Sequence, residues 1–453
     1  LQLTPVGSEL HDALGRTVYL RGVDSGGQSK APPYFPFAFA ESGVDGEASA
    51  PPFTQAAMDY VHMVAERGFT IVRLLFLWEA LEPTQGTYDD EYLGRVATFA
   101  SDFGSVGIRV ILDNHQDCYA HVFCGEGFPQ WTLDGYSAQA PSSCNPWYQG
   151  YLGEIPDMSA AYDRLYANTG GVEDAFVAMW QHVAQQMAPI DNIVAFEILN
   201  EPYQGTMDQT TWAAGPLKSF YETVATALRQ EAPGKLLVFE PSGTTPGQGG
   251  VIAVPPDGTD WIFGPHYYEP QAFVFGPDVT TAWMNMTNLV TPIAQLGPKW
   301  SLPVFLGEFG VSNQYMNTPN YLDAAWNALD ALNLGGTVWH FSTTPDYMAQ
   351  EQMDLWVNGQ ETPGFDASIR PQPSVIAGAL TSFSFDRTTD RAVLALDATA
   401  GGVTELSVPT RRYPKGPSVA VSGAHIHYEY DTAAQRLRFT VPKGGTTTVT
   451  LTP

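Results

Sequence analysis

Two hydrophobic periods alternate along this chain. Short apolar runs rich in β-branched and aromatic residues end abruptly in polar residues, and stretches with apolar positions at helical spacing follow them. The clearest run, Asn192-Ile193-Val194-Ala195-Phe196-Glu197-Ile198-Leu199, reads as a buried parallel strand. It stops at Asn200-Glu201-Pro202, where proline cannot continue a ladder. A second run, Pro303-Val304-Phe305-Leu306-Gly307, leads into Glu308. Helical spacing shows first at Ala57, Tyr60, Val61, Val64 and Ala65, which share one face and end at Arg67-Gly68. The same pattern predicts helices around 91–106, 172–187, 217–230, 283–294 and 321–332. Strands are expected at 17–24, 70–78, 108–115, 192–201, 235–240, 261–268, 304–308 and 336–341.

About eight β–α alternations in roughly 370 residues predict an α/β fold, a (β/α)8 TIM barrel over residues 1–380. The surplus length falls in loops at 25–52, 116–171 and 269–281, and long loops in compact domains tend to carry function. Residues 1–16 read as a small hairpin and 371–380 as a closing helix. From 381 to 453 strand-like runs alternate with turn residues and no helical period intervenes, which predicts a small C-terminal antiparallel β-sandwich.

Composition narrows the function. The chain has 453 residues, 44% hydrophobic and 15% charged, so it is globular and long enough for a barrel plus a second domain. A formal net charge of -27 argues against a nucleic-acid partner and against electrostatic docking on anionic membranes. No apolar stretch approaches the ~20 residues of a transmembrane helix. The start at Leu1-Gln2-Leu3, without methionine or a signal peptide, suggests a processed, secreted chain. Cys118, Cys124 and Cys144 can form at most one disulfide. Loop stapling is expected there rather than zinc, because the nearby His115 and His121 complete no recognised ligand pattern.

The polar residues at the predicted C-terminal strand ends are Arg73, His115, Asn200, Glu201, His266, Tyr268, Glu308 and Trp339. That end of a barrel holds its chemistry. Singly, each has an ordinary structural explanation; together they place two carboxylates in one polar pocket. Two acids about 5–5.5 Å apart suit retention at an anomeric carbon, and about 6.5–9.5 Å leaves room for water and inversion. A nucleophile must stay ionised, which Arg73 and Tyr268 would favour, while an acid must keep its proton, which burial favours. Asn200 could bond a sugar 2-hydroxyl, and Trp339 offers a flat apolar face.

This set resembles the retaining glycoside hydrolases of family 5, clan A, in Asn200-Glu201-Pro202 on strand four and Glu308 on strand seven. Arg73, His115, His266 with Tyr268, Trp339 and the stretch Trp78-Glu79-Ala80-Leu81-Glu82-Pro83-Thr84-Gln85-Gly86 fit the same resemblance. It implies that Glu201 is the acid/base and Glu308 the nucleophile, with no metal or other cofactor. Three further features look like the endoglycoceramidases of that family: the loop Lys30-Ala31-Pro32-Pro33-Tyr34-Phe35-Pro36 after Gly22-Val23-Asp24, the stretch Asp113-Asn114-His115-Gln116-Asp117, and Arg370-Pro371-Gln372-Pro373 before the C-terminal domain.

That likeness implies cleavage between the oligosaccharide and the ceramide of a glycosphingolipid. It further implies a single chain meeting its substrate in a micelle or membrane, with or without detergent or an activator. A ceramide leaving group needs an apolar trough, for which Phe35, Phe37, Phe39, Phe273, Val274, Phe275, Trp283 and Met284 are candidates. Lys30 and Asp117 are candidates for gripping the first sugar. Trp131 and Trp147 could be sugar platforms or core, and Trp180, in mid-helix, reads as core. The alternatives are a family relative acting on a soluble polysaccharide, such as an endo-β-glucanase or mannanase, and a non-catalytic glycolipid-binding barrel.

Overall fold

The strands expected from the apolar runs form one parallel eight-stranded sheet in the computed structural model, which describes residues 1–42, 50–243, 253–345 and 351–453. In chain order they are Arg21–Asp24, Ile71–Phe76, Arg109–Asn114, Ile193–Glu197, Leu236–Phe239, Trp261–Phe263, Phe305–Phe309 and Gly335–Val338. Each pairs with its sequence neighbour, and the eighth returns to the first. Strands six and seven meet at the bridge Phe263–Val304, where the Phe263 N–H donates to the Pro303 carbonyl at 2.9 Å, and just beyond it Gly307 donates to Pro265 and Tyr267 to Glu308, which closes the barrel. Part of the long loop expected at 25–52 lies outside the described residues, at 43–49.

The strands are largely apolar because both faces are covered, and the polar residues they contain, such as Arg73, Asp113, Glu197 and Glu308, are buried with them. Ile71, Ile111, Val194, Leu236, Ile262 and Phe305 cluster with Leu3 and Leu10 of the N-terminal hairpin, which plugs one end of the barrel. Val72, Leu74, Val110 and Leu112 belong to the larger core shared with the surrounding helices. Those helices include Phe53–Ala65, Asp90–Ser105, Val172–Met187, Lys218–Glu231 and Thr318–Leu332, close to the expected spans. Between strands five and six none of the described residues is helical. None of the described helices is long and apolar enough to cross a membrane.

Two expectations change. The segment at 371–380 is extended rather than helical, with strand Gln372–Ile376 running into Gly378–Asp386. Pro371 and Pro373 remove two backbone donors, and Val375 and Ile376 instead pair with Val18 and Thr17. The strand expected at 17–24 is also divided: Thr17–Val18 joins the C-terminal sheet and only Arg21–Asp24 enters the barrel. The C-terminal strands thus form a four-stranded and a seven-stranded antiparallel sheet, the latter including the N-terminal hairpin. Ile376, Phe383, Phe385, Leu394, Leu406, Leu437 and Val449 fill the core between them.

A buried ion cluster ties these parts together. Asp330, on the last barrel helix, accepts from Arg21 of strand one and from Arg370, just before the C-terminal sheets. Arg370 also donates to Asn327 Oδ1 at 2.8 Å, and Arg21 donates to the Leu334 carbonyl at 3.2 Å. Removing the shared anion strands two buried guanidinium groups, so Asp330→Ala should destabilise the fold by about 3–5 kcal/mol. The measurement is the midpoint of thermal unfolding, which should fall well below that of Asp323→Ala, whose carboxylate is partly exposed.

Candidate active site

The strand ends converge on one buried cation. The Arg73 side chain points along the barrel axis with no solvent exposure. Its Nε and Nη2 reach the two oxygens of Glu197 at 2.8 and 3.0 Å, and Nη1 reaches Glu308 Oε1 at 2.7 Å. Nη2 also lies 2.7 Å from Asn200 Oδ1, 3.1 Å from Asp113 Oδ2 and 3.6 Å from Glu240 Oε1, and Asp24 stands 3.4 Å from Nη1. Five strands therefore contribute a carboxylate to this single guanidinium. They cannot all ionise in a dry interior. Burial first, then the neighbouring acids, push Asp24 and Glu240 well up against the pull of Arg73 and raise Asp113 as well. Burial also opposes ionisation of Glu197, but Arg73 and its neighbours outweigh it and hold that carboxyl below its ordinary value.

Glu308 and Glu201 face each other across His266. Tyr268 donates its hydroxyl to Glu308 Oε2 at 2.6 Å. His266 Nδ1 lies 2.9 Å from Glu201 Oε1 and 3.4 Å from Glu308 Oε2, and ligating atoms of all three side chains fall within 4.8 Å of one another. The two carboxyls are poised in opposite directions. Burial raises Glu308, but the charges of His266, Arg73 and His115 and the Tyr268 hydroxyl overcome it and leave the group lowered. For Glu201 burial dominates, the His266 bond opposes it, and the charge of Glu308 adds to it, so this carboxyl is raised.

Local structure sets the Glu201 side chain. Glu201 lies past the end of strand four, in the left-handed region at φ 41°, rather than inside the strand expected to reach it. Gln116 Nε2 holds that turn through the carbonyls of Asn200 and Glu201 at 2.7 and 3.0 Å. Gly243 makes room for it, since a Cβ there would come 2.8 Å from Glu201 Cβ. Trp180, buried as expected, donates to the Ile198 carbonyl beneath the same turn at 3.1 Å.

A cavity of about 420 Å³ opens onto these groups. Lys30, His115, Asp117, Glu201, Tyr268, Glu308 and Trp339 line it, while Arg73, Asn200 and His266 stand behind the wall. Lys30 Nζ sits 2.5 Å from Asp117 and 3.4 Å from Glu351, and 4.5 Å above the Trp339 ring. Trp339 donates to Glu351 Oε2 at 2.7 Å and stacks on His115 with ring centroids 5.5 Å apart. Trp147, Tyr148, Phe273 and Val274 also line the cavity, so Trp147 is a wall residue, whereas Trp131 packs on Trp78 and donates to the Glu82 carbonyl.

Of the apolar trough candidates, Phe273 and Val274 are at the cavity. Phe35, Phe37 and Phe39 are 3%, 3% and 0% exposed and pack with Phe53 and Phe99 in the core. These three are structural, a correction to the expectation. Trp283 is buried too, while Phe275 and Met284 are exposed.

Sequence reasoning passed over Asp24, Asp113, Glu197 and Glu240 as site residues, although each is an acid at the end of an apolar strand. Glu126 and Glu351 lie in loops, with no periodicity to mark them. Besides Glu201, His266 and Glu308 themselves, two acid-histidine groups among the described residues could hold a cation, His115-Asp117-Glu126 and Glu197-Glu240-His266. Each already faces a buried side-chain cation, Lys30 or Arg73. Beside the cavity, Cys124 and Cys144 are disulfide-bonded and Cys118 is a buried free thiol, which settles the pairing left open by sequence.

Comparison with known proteins adds to this geometry. Residues 37–344 match the cellulase family (glycosyl hydrolase family 5), and residues 370–452 match the glycoside hydrolase family 5 C-terminal domain. The chain is 26% identical to endoglycoceramidase I of Rhodococcus hoagii over 450 residues, covering 93% of this chain and 82% of that one. It is also similar to endo-glycoceramidase II from Rhodococcus sp. in its lactosyl-enzyme intermediate, with a TM-score of 0.77 and 25% identity over 98% of this chain and 99% of the other. The ganglioside GM3 complex of that Rhodococcus enzyme shares the fold, with a TM-score of 0.81 and 24% identity over 99% and 100% of the two chains. A barrel with two glutamates at its open end and a family match over more than half its length make this protein a glycosidase: the chain belongs to glycosyl hydrolase family 5.

Proposed function

We propose that this protein is a retaining endoglycosidase that releases the intact oligosaccharide of a glycosphingolipid from its ceramide. The observation that carries the reading is the pair Glu201 and Glu308, with carboxylate oxygens within 4.8 Å of each other and acidities pulled in opposite directions. So close a pair leaves little room for an interposed water, which favours retention. In the first step Glu308 attacks the anomeric carbon while Glu201 gives its proton to the departing ceramide oxygen. In the second, Glu201 takes a proton from water as that water displaces Glu308 and restores the starting carboxyl states. Trp339 and Lys30 with Asp117 are proposed to hold the first sugar, since they form the polar wall of the cavity.

The lipid side of the reading draws on the apolar lining of the cavity. Phe273, Val274 and Leu152 line it, and Val274 and Leu152 are each about three-fifths exposed at 59% and 61%. Exposed apolar side chains gathered at a pocket mouth mark a surface for an apolar ligand. The Rhodococcus relatives support the same substrate class through their names. We place the protein outside the cell, a reading supported by its Cys124–Cys144 disulfide, a bond that persists in oxidising compartments.

Mass spectrometry after incubation with a ganglioside tests the cut: one intact oligosaccharide and free ceramide are expected. Loss of single sugars, or thinning of a soluble glucan in its place, would return the activity to a different member of the family. Glu308→Ser should reduce turnover by several orders of magnitude while binding of the glycolipid persists. Activity needs Glu308 ionised and Glu201 protonated, so the pH profile should be bell-shaped. Its acid limb should lie below the ordinary glutamate range and its basic limb above it. Tyr268→Phe removes one of the interactions that lower Glu308, so the acid limb should move to higher pH while the basic limb stays in place. An acid limb that does not move would assign it to another group.

A further inference from the structure

His266 is gripped on both sides. Its Nδ1 faces Glu201 Oε1 and Glu308 Oε2 at 2.9 and 3.4 Å. On the far side of the ring, Nε2 lies 3.3 Å from Glu240 Oε2, an ion-pair contact, and has no aligned hydrogen-bond partner among the described residues. Gly307 of strand seven leaves room for the ring at this place, since a Cβ there would stand 2.9 Å from its Cδ2 and Nε2. Glu240 is itself fixed at the end of strand five, where the Tyr221 hydroxyl bridges its backbone N–H and carbonyl at 3.0 and 3.2 Å. It is 2% exposed, lies behind the cavity wall and cannot touch substrate.

We propose that Glu240 is a positioning residue for the acid step: it holds the outer nitrogen of His266 and thereby decides where the proton of Glu201 sits. The inference rests on the reading of Glu201 as the acid. The groups around the Glu240 carboxyl are Glu197, Arg73, His266 and Glu201, from strands two, four and six and the turn after strand four. Burial, then the charge of Glu197, pushes Glu240 well above the ordinary range, toward its protonated form. Toward a neutral ring, a protonated carboxyl can donate O–H to Nε2, which makes Nε2 an acceptor and leaves the single ring proton on Nδ1. Nδ1–H then donates to Glu201 Oε1. With that oxygen occupied, the proton of Glu201 is confined to Oε2, on the side of Gly243 and the cavity, where a leaving group would collect it. Without Glu240 the ring can take its proton on Nε2 and turn a lone pair toward Glu201. The acid proton is then drawn inward, away from the bond to be broken.

Leaving-group dependence tests this, because a dinitrophenyl group departs without acid assistance and a ceramide alkoxide does not. The substrates are lactosylceramide and dinitrophenyl β-lactoside, compared by kcat/KM, which reports the first irreversible step. Glu240→Leu should lose about 100-fold on lactosylceramide and stay within about threefold on the dinitrophenyl glycoside, as expected when acid assistance alone is impaired. Glu240→Gln keeps a donor in place and should stay within about threefold on both substrates. Equal losses on both substrates for Glu240→Leu, or no loss on lactosylceramide, would overturn the proposal. If the leucine variant does not fold, Glu240→Gln decides: a loss on lactosylceramide beyond about tenfold shows that a neutral donor does not serve. Glu201→Ala is run beside them. If it also penalises only the glycolipid, the acid reading stands whatever Glu240 does; if it penalises both alike, the reading of Glu201 itself fails.

Discussion

The structure depends on the burial of a single guanidinium. Arg73 sits at the barrel axis with no access to water, so its charge must be balanced by the protein alone. Acids from strands one, three, four, five and seven supply that balance within 3.6 Å. This excess of acids has a consequence. Because one cation cannot neutralise five anions, the carboxyls divide into ionised members, Glu197 and Glu308, and members pushed toward the protonated form, Asp24, Asp113 and Glu240. The chemistry at the cavity surface is the exposed edge of that division.

The two working glutamates show how little separates an acid from a nucleophile. Both touch His266, both are enclosed by the same cavity, and both are opposed by burial. Glu308 lies against Arg73 and under the Tyr268 hydroxyl, and these donors offset its desolvation. Glu201 is one residue past Asn200, which takes the Arg73 contact itself and leaves the Glu201 carboxyl hydrogen-bonded to His266. A shift of one position along the turn thus separates the carboxyl that loses its proton from the one that keeps it.

Much of this was legible in the sequence, for reasons that also explain what was not. Strand identity was readable because each barrel strand is buried on both faces and so is mostly apolar, with its polar residues gathered chiefly toward its C-terminal end and Arg73 the internal exception. That same rule placed His115, Glu201, His266, Tyr268, Glu308 and Trp339 near one another. Asp24, Asp113, Glu197 and Glu240 obeyed it equally, but an acid that closes a strand looks the same whether it faces substrate or a buried arginine. The sequence carries no mark of which layer it joins. Phe35, Phe37 and Phe39 failed in the opposite way: alternating aromatics in a proline-rich loop suggest a surface trough, yet Phe53 and Phe99 stood ready across the first two helices to bury them. The segment at 371–380 misled because its partners, Thr17 and Val18, lie more than 350 residues away, and no local period reports a pairing of that range.

The net charge of -27 and the apolar mouth belong to one design. A strongly acidic protein is repelled by anionic lipid surfaces, so charge cannot bring it to a substrate embedded among them. Contact must come from apolar side chains, and Leu152 and Val274 present these at the cavity. Lys30, Asp117 and Glu351 line the same cavity with charge. Under the proposed function, a sugar head would meet these charged groups and an apolar tail the exposed apolar side chains. A soluble polysaccharide, polar along its whole length, would leave the apolar side chains unmatched, so a preference for an amphiphile would rest on the mixed lining of the cavity rather than on any single contact.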